Sequence, residues 1–433
     1  MISFVDLQFW LVAFMLIMAY SSVIVLLSAS APVKTWLYGS DSRADTISAR
    51  GTIAKNLLMI CASVLILVLT HFNNLNVLIP LTVLVYWTGK KLVALQKQRA
   101  FRFCRPMIIF LVVFFCYYKY SSIQLLLNPV IGDILNLQGP ENLVKSMAVS
   151  LFIFKAIDFL IVCYKKRIKN LDFLTFLNYI LFFPSFFTGP VNRYNRFSED
   201  IYNSSVSIDR IGGIRRIIEG LFKKVILCRF LMPYCLTNID LANPSLTRTQ
   251  AILGIYACVL YFYCAGSGYA DIAIGNGKLL GINLPENFNH PFFKKNLQQF
   301  WANWNMSVTS WLMDYVYWPL VGKARDIQKV RTRPILLSNI CIILTFVVVG
   351  IWHEANIQFL LWGLYQGVGL TIFHFYAAFK RKHFSQKWKQ HVTPSWYART
   401  ASTLLTFQFV AFGFLLFCCN SNQIGRLWHL FVL

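Results

Sequence analysis

The chain has 433 residues, of which 57% are hydrophobic, 16% aromatic and 13% charged. Soluble proteins carry about 25% charged residues, so this composition, with a mean hydropathy of +0.55, excludes a soluble protein. The formal net charge is +24, but the basic residues fall in short segments between apolar runs, where the positive-inside rule places them. Membrane topology therefore explains the charge, and we expect the lipid bilayer, but no nucleic acid, as a partner.

Several apolar stretches reach the roughly 20 residues that a membrane-spanning helix needs. They predict an all-α, polytopic integral membrane protein of about 10–12 helices, some of them broken or re-entrant. We predict a single membrane domain over residues 1–433, with more variable N-terminal spans in 1–165 and the core motifs in about 180–370. Regular spans are expected near residues 7–29, 52–70, 75–89, 107–127, 144–164, 249–275, 335–351, 357–379 and 400–419.

Charge bias predicts the orientation of these spans. The basic stretch 90–105 and the cluster Lys165-Lys166-Arg167 are placed in the cytoplasm, which puts the polar segment 128–143 outside. We interpret 7–29 as a retained helix rather than a signal peptide. The basic loops could also attract an acidic acyl donor.

The middle of the chain is less regular. Residues 171–187 are apolar but end near Pro184, and residues 212–232 mix apolar positions with arginine and lysine, which predicts a broken or interfacial helix. Residues 276–334 are too polar to cross lipid alone, although they contain four tryptophans. Polar or non-helical backbone at membrane depth requires packing against protein or a cavity.

His353 lies in the stretch VVGIWHEANI, where Glu354 is the only charged residue of the apolar run 334–379. Ionisable residues inside membranes are costly and tend to mark functional sites, and histidine suits proton transfer near neutral pH. The alternative is a structural histidine bound by a helix neighbour. Trp352 and Asn356 could fix its tautomer. Glu354 projects about 100° away on a helix and is secondary, or is a buried carboxylate paired with an arginine.

The stretch 298–315, QQFWANWNMSVTSWLMDY, is dense in aromatic and hydrogen-bonding side chains. As a continuous helix it would place Trp301, Trp304 and Val308 on one face, with Asn305 close to it. An aromatic wall with an amide suits a pocket for an acyl or pantetheine chain. The alternative is an aromatic belt at the membrane interface.

Other polar residues lie in apolar surroundings. Asp271 follows Gly266-Ser267-Gly268 in a predicted span and needs a partner, and Arg193 follows the break PSFFTGP. Lys155 and Asp158, three residues apart in the span 144–164, are predicted to form an internal ion pair. The 11 cysteines show no spacing typical of a metal site, so we expect no metal.

These motifs, in this order, resemble the membrane-bound O-acyltransferase family, in particular its bacterial branch of alginate O-acetyltransferase and teichoic acid D-alanyltransferase. The resemblance covers about residues 50–425 and rests on FFPSFFTGPVNRYNRF, GLFKKVIL, GSGYADIAIGNGKLLGINLPENFNHPF, QFWANWNMSVTSWLMDYVYWPL and VVGIWHEANIQFLLWGLYQG. It implies a multi-span fold with a funnel on each side. An acyl donor would enter from the cytoplasm and a hydroxyl acceptor from outside.

The resemblance implies that His353 is the essential histidine of the family. A second polar position falls on Asn305, where the bacterial polysaccharide branch usually has histidine and eukaryotic members have asparagine. His353 would then accept the proton of the acceptor hydroxyl, while Asn305 would donate an N–H to the substrate or the oxyanion. Residues expected to line or support the substrate tunnel are Trp301, Trp304, Asp271, Arg193, Trp352 and Asn356.

The expected function is transfer of an acyl group, with acetyl as first choice, to hydroxyls of a cell-surface polysaccharide or to an intermediary protein. The donor is a cytoplasmic thioester, acetyl-CoA or an acyl carrier protein, which is a substrate rather than a bound cofactor. Alternatives are D-alanyl transfer from a carrier protein to a teichoic-acid-like polymer, a lipid or protein acyltransferase, and a non-catalytic acyl-group transporter. The expected location is the cytoplasmic (inner) membrane of a bacterium.

Overall fold

The structure, a computed structural model, describes the chain in segments. They are residues 44–69, 75–120, 143–168, 171–202, 209–241, 243, 245–326, 334–384 and 395–432. The predicted span 7–29, and the predicted outer segment 128–143 apart from its last residue, lie outside these segments. The described residues form helices and no β-strand, apart from one isolated bridge, which confirms the prediction of an all-α fold.

The α-helices are numbered here in chain order. The first eight are α1 (Ala44–Leu69), α2 (Leu75–Ala94), α3 (Lys97–Lys119), α4 (Leu143–Tyr164), α5 (Phe173–Leu181), α6 (Tyr194–Tyr202), α7 (Arg210–Leu221) and α8 (Cys228–Leu231). The others are α9 (Arg248–Leu279), α10 (Leu297–Trp301), α11 (Met306–Leu312), α12 (Trp318–Arg325), α13 (Pro334–His353), α14 (Ile357–His383), α15 (Trp396–Cys418) and α16 (Ser421–Val432).

Within the described segments, five helices are long and apolar enough to cross a membrane, namely α2 from Val77 onward, α3, α9, α13 and α15. The chain is therefore a multi-pass membrane protein. It divides into two compact units, one of residues 1–219 and 269–285, the other of residues 220–268 and 286–433. The single domain expected from the sequence stays a prediction.

Two sequence predictions about the basic segments have different outcomes. The stretch 90–105 is not a loop, because α2 continues to Ala94 and α3 begins at Lys97, ten residues before the predicted start. Long basic side chains can lie along apolar surface and still reach the interface, and the Lys91 ammonium lies 3.4 Å from the centre of the Trp87 ring. The broken or interfacial helix predicted in 212–232 stays a prediction, because residues 210–231 are helical throughout, with the π-helical segment Phe222–Leu227 between α7 and α8.

In the first unit, an aromatic core surrounds a buried carboxylate. Asp158 forms an ion pair with Arg193 at 3.0 Å, and its other oxygen accepts hydrogen bonds from the Tyr194 backbone N–H at 2.9 Å and the Tyr179 hydroxyl at 3.3 Å. The predicted Lys155–Asp158 pair is wrong, because the Lys155 ammonium donates to the Tyr179 carbonyl oxygen at 3.2 Å instead. The segment after the Pro/Gly break carries Arg193 to Asp158, a contact across 35 residues that helical spacing cannot reveal.

In the second unit, α13 and α14 pack as a close helical hairpin. A Cβ on Gly350 would overlap the Phe359 carbonyl oxygen, and one on Gly363 would overlap the Phe346 carbonyl oxygen. Small residues let two helix backbones approach to this distance. The hairpin turns after His353, so one apolar run of the sequence becomes two antiparallel helices.

We expect Gly363→Ala to destabilise the hairpin, because its Cβ would meet the backbone of Phe346 rather than a flexible side chain. Overpacking of this kind costs about 1–3 kcal/mol, which should lower the thermal unfolding midpoint of the purified protein. Gly425→Ala is the control, since nothing lies within 4 Å of its added Cβ. Equal midpoints for the two variants would contradict the close packing.

We expect Arg193→Gln to lower the free energy of unfolding by about 3 kcal/mol or more, because it leaves the carboxylate of Asp158 buried without its guanidinium. The matched control is Arg215→Gln, whose partner Glu219 is 42% exposed, and a surface pair of this kind contributes about 0–1 kcal/mol. Denaturant titration of each purified variant measures its free energy of unfolding. A similar small loss in both variants would show that the buried pair contributes little.

Candidate active site

His353 is the last residue of α13 and lies inside an enclosure of aromatic rings. The distances from its ring centre are 4.5 Å to Trp352, 5.0 Å to Phe417, 5.5 Å to Trp362 and 5.9 Å to Phe359. These rings come from α13, α14 and α15. The C-terminal end of a helix carries partial negative charge and stabilises a nearby cation. The four rings leave the imidazole of His353 half-buried at this helix end.

The residues after His353 make the turn into α14. The backbone N–H of Glu354 donates to the Gly350 carbonyl at 3.1 Å, and the side chain of Glu354 is exposed, so the alternative of a buried carboxylate paired with an arginine is wrong. The Asn356 side-chain oxygen accepts from the Phe359 N–H at 2.9 Å and caps α14. Asn356 thereby sets the geometry of the turn that follows His353.

The continuous helix predicted through Trp301 and Asn305 is wrong. Helix α10 ends at Trp301, α11 begins at Met306, and Asn305 between them has φ 45° and ψ 50°, which is left-handed. Trp301 and Trp304 still lie together because both contact the buried Phe300, at ring-centre distances of 5.3 Å and 5.5 Å. Asparagine is among the few residues that adopt this conformation readily, which explains how the sequence permits the break.

Asn287 stabilises the break, and no local pattern in the sequence singles it out. Its side-chain oxygen accepts from the Ser307 N–H at 3.1 Å, and its backbone oxygen accepts from the Met306 N–H at 2.9 Å. Asn287 thus caps α11 from a distant part of the chain. Asn305, which holds the cap position itself, makes no side-chain cap bond, so its half-buried amide remains available to a substrate.

Two chains of aromatic rings connect the Trp301–Asn305 segment to His353. In the first, Trp362 lies 6.0 Å from Trp301 and 5.5 Å from His353. In the second, Phe414 of α15 lies 5.8 Å from Trp304 and 5.9 Å from Phe417, which contacts His353. The structure therefore brings the predicted residues Trp301, Trp304, Trp352 and His353 to one aromatic wall.

Asp271 and Arg193 belong to the first unit, and each is part of an ion pair there. Arg216 Nε lies 2.7 Å from Asp271, and Arg193 lies 3.0 Å from Asp158. These pairs show how both charges are satisfied within their own unit, and a role for them in the tunnel stays a prediction. Within the described segments, no group of three or more His, Cys, Asp or Glu residues could hold a metal ion.

The side chains of this region offer a defined chemistry. His353 can accept a proton, the amide of Asn305 can donate a hydrogen bond, and the aromatic wall is suited to an apolar chain. Glu354 is exposed and lies outside the aromatic enclosure. This combination is suited to activating a hydroxyl group next to an acyl chain.

Comparison with known proteins identifies the family of the chain. The profile of the membrane-bound O-acyltransferase family matches residues 64–398. A teichoic acid D-alanyltransferase of Bacillus subtilis is 28% identical over 368 residues, 82% of this chain and 88% of the relative. A probable alginate O-acetylase of Azotobacter vinelandii is 29% identical over 331 residues, 73% of this chain but less than two thirds of the relative, at 63%.

A peptidoglycan O-acetyltransferase of Helicobacter pylori is 30% identical over 250 residues, which are 57% of this chain and 44% of that relative. The family profile extends over most of the chain, from the end of α1 into α15. It includes both Asn305 and His353. The chain therefore belongs to the membrane-bound O-acyltransferase family and is an O-acyltransferase.

Proposed function

We propose that this enzyme, in the cytoplasmic membrane of a bacterium, moves an acyl group from a cytoplasmic thioester to hydroxyls of a cell-envelope polymer or of an intermediary protein. The observation that carries the proposal is His353, held in an aromatic enclosure at the turn between α13 and α14. The names of the relatives, which refer to teichoic acid, alginate and peptidoglycan, support a polymer of the cell envelope as acceptor.

In this mechanism the neutral imidazole of His353 accepts the proton of the acceptor hydroxyl as its oxygen attacks the thioester carbonyl. The carbon–sulfur bond then breaks, the new ester forms, and the imidazolium returns its proton to the departing thiolate. The end of α13 stabilises the imidazolium while it exists. The aromatic rings around His353 limit water, which would otherwise hydrolyse the thioester.

Asn305 supplies a hydrogen bond rather than a second base. In the proposed reaction its amide N–H donates to the substrate carbonyl, whose oxygen becomes negative in the transition state. Two observations support this role: the side chain makes no cap bond, and Asn287 takes over the capping of α11. Because an amide takes up no proton at neutral pH, His353 is the sole base in the proposed reaction.

Two acyl groups remain as candidates. Acetyl, with acetyl-CoA or an acyl carrier protein as donor, agrees with the alginate and peptidoglycan relatives. D-alanyl, from a carrier protein, is favoured by coverage, because the D-alanyltransferase match extends over 88% of that relative. Assays of the purified enzyme with each donor and a matching polymer distinguish the two.

We expect His353→Ala to lower the turnover number by at least about 10²-fold, the range that general-base catalysis contributes. The matched control is His383→Ala, because His383 lies exposed at the far end of α14 and should keep full activity. Transfer of a radiolabelled acyl group in proteoliposomes measures both. Acyl movement that persists in His353→Ala without ester formation in the wild type would support a transporter instead.

We expect Asn305→Gly to lower the turnover number by about 10²–10³-fold, as loss of an oxyanion donor does, with little change in thermal stability. Glycine adopts the left-handed conformation of Asn305 without strain, so this variant removes the amide and keeps the break. Asn305→Ala should lose both activity and stability. Unchanged turnover in Asn305→Gly would assign Asn305 a purely conformational role.

A further inference from the structure

A cavity of about 330 Å³ lies between α12 and the first turn of α13, away from the aromatic enclosure of His353. Its wall is mixed in character. Residues of the apolar part are Val321, Pro334 and Leu337, and the polar part includes the hydroxyls of Tyr317 and Ser338, which are hydrogen-bonded to each other at 2.7 Å. A wall of this kind fits an amphipathic ligand.

Arg325 places a positive charge at this cavity. Its side chain lines the wall and is exposed to solvent, and no ion pair joins it to any residue that the structure describes. Trp318, also in the wall, is 53% exposed. An exposed tryptophan next to a basic residue is typical of the level of lipid headgroups. The cavity therefore offers a cation to an anionic group that approaches from the membrane interface.

The position of the cavity along α13 also indicates that it lies at the level of the lipid headgroups. Helix α13 is one of the five helices able to cross the membrane within the described segments, and Pro334 is its first residue, so the cavity lies at a membrane boundary. Beyond it, Leu336, Ile340, Leu344 and Val348 recur every four residues and are exposed, at 38–46%. This apolar stripe continues along the helix in the direction in which lipid chains would extend.

Charge indicates which leaflet this boundary faces. The sequence from Lys323 to Arg333 contains five basic residues and one acid, and segments of this kind are placed on the cytoplasmic side. The cytoplasmic leaflet is rich in anionic lipids, which attract basic residues near the surface. The positive charge, the cavity wall and the apolar stripe thus match, in that order, the phosphate, the glycerol and the acyl chains of one lipid molecule.

We propose that this cavity binds the headgroup of an anionic phospholipid, with the phosphate on Arg325 and the acyl chains along the exposed stripe of α13. The glycerol region lies against the Tyr317 and Ser338 hydroxyls, which can hydrogen-bond its oxygens. A bound lipid would join α12 to α13. This proposal does not depend on the proposed acyl transfer, because lipid binding can be measured without turnover.

The test is native mass spectrometry of the full-length protein in detergent, titrated with phosphatidylglycerol or phosphatidylcholine of the same acyl chains. We expect wild type to bind phosphatidylglycerol more tightly, and Arg325→Gln to weaken that binding about fivefold, as removal of one basic residue at a lipid surface does. Arg325→Lys should keep most of the affinity, because it keeps the charge.

Arg399→Gln is the matched control. Arg399 is exposed in the first turn of α15, another spanning helix, next to Trp396, which is 78% exposed, and it does not line the cavity. Phosphatidylglycerol affinity should be unchanged in this variant.

Three outcomes would overturn the proposal. The first is equal binding of the two lipids by wild type, and the second is an equal loss of affinity in Arg325→Gln and Arg399→Gln. In the third, Arg325→Gln leaves phosphatidylglycerol binding intact but weakens binding of coenzyme A or of a phosphopantetheine carrier protein. That result would assign the cavity to the acyl donor.

Discussion

The site depends on the close approach of two helix backbones. Gly350 and Gly363 let α13 and α14 pack so tightly that an added methyl group would overlap a carbonyl oxygen of the other helix. Helix α13 ends at His353, and the hairpin turns directly after it. His353 is thereby held at a helix end, where Trp362 of α14 and Phe417 of α15 contact it.

The break between α10 and α11 positions Asn305, as the end of α13 positions His353. A residue inside a continuous helix points its side chain along a fixed face. Asn305, in contrast, has a left-handed backbone and lies between two short helices. Asn287 supplies the hydrogen bonds that α11 would otherwise need from its own cap residue. Asn305 thus combines a left-handed backbone with a side chain that makes no cap bond, as the proposed role requires.

The two units satisfy their polar groups in different ways. In the first, buried carboxylates are paired with arginines, as Asp158 is with Arg193 and Asp271 with Arg216, which offsets the desolvation of each charge. In the second, the site residues His353 and Asn305 are half-buried, and aromatic rings contact His353.

The sequence by itself determined the all-helical membrane class and singled out His353 as a polar residue in an apolar run, whereas Asn305 became a candidate through the family resemblance. Apolar length, charge bias and local motifs depend only on neighbouring residues, and these signals can be read along one chain. Only the tertiary structure decided that Asp158 pairs with Arg193, that Asn287 caps α11 and that α10 stops at Trp301. Each of these depends on groups brought together from distant parts of the chain, and helical spacing carries no information about such contacts.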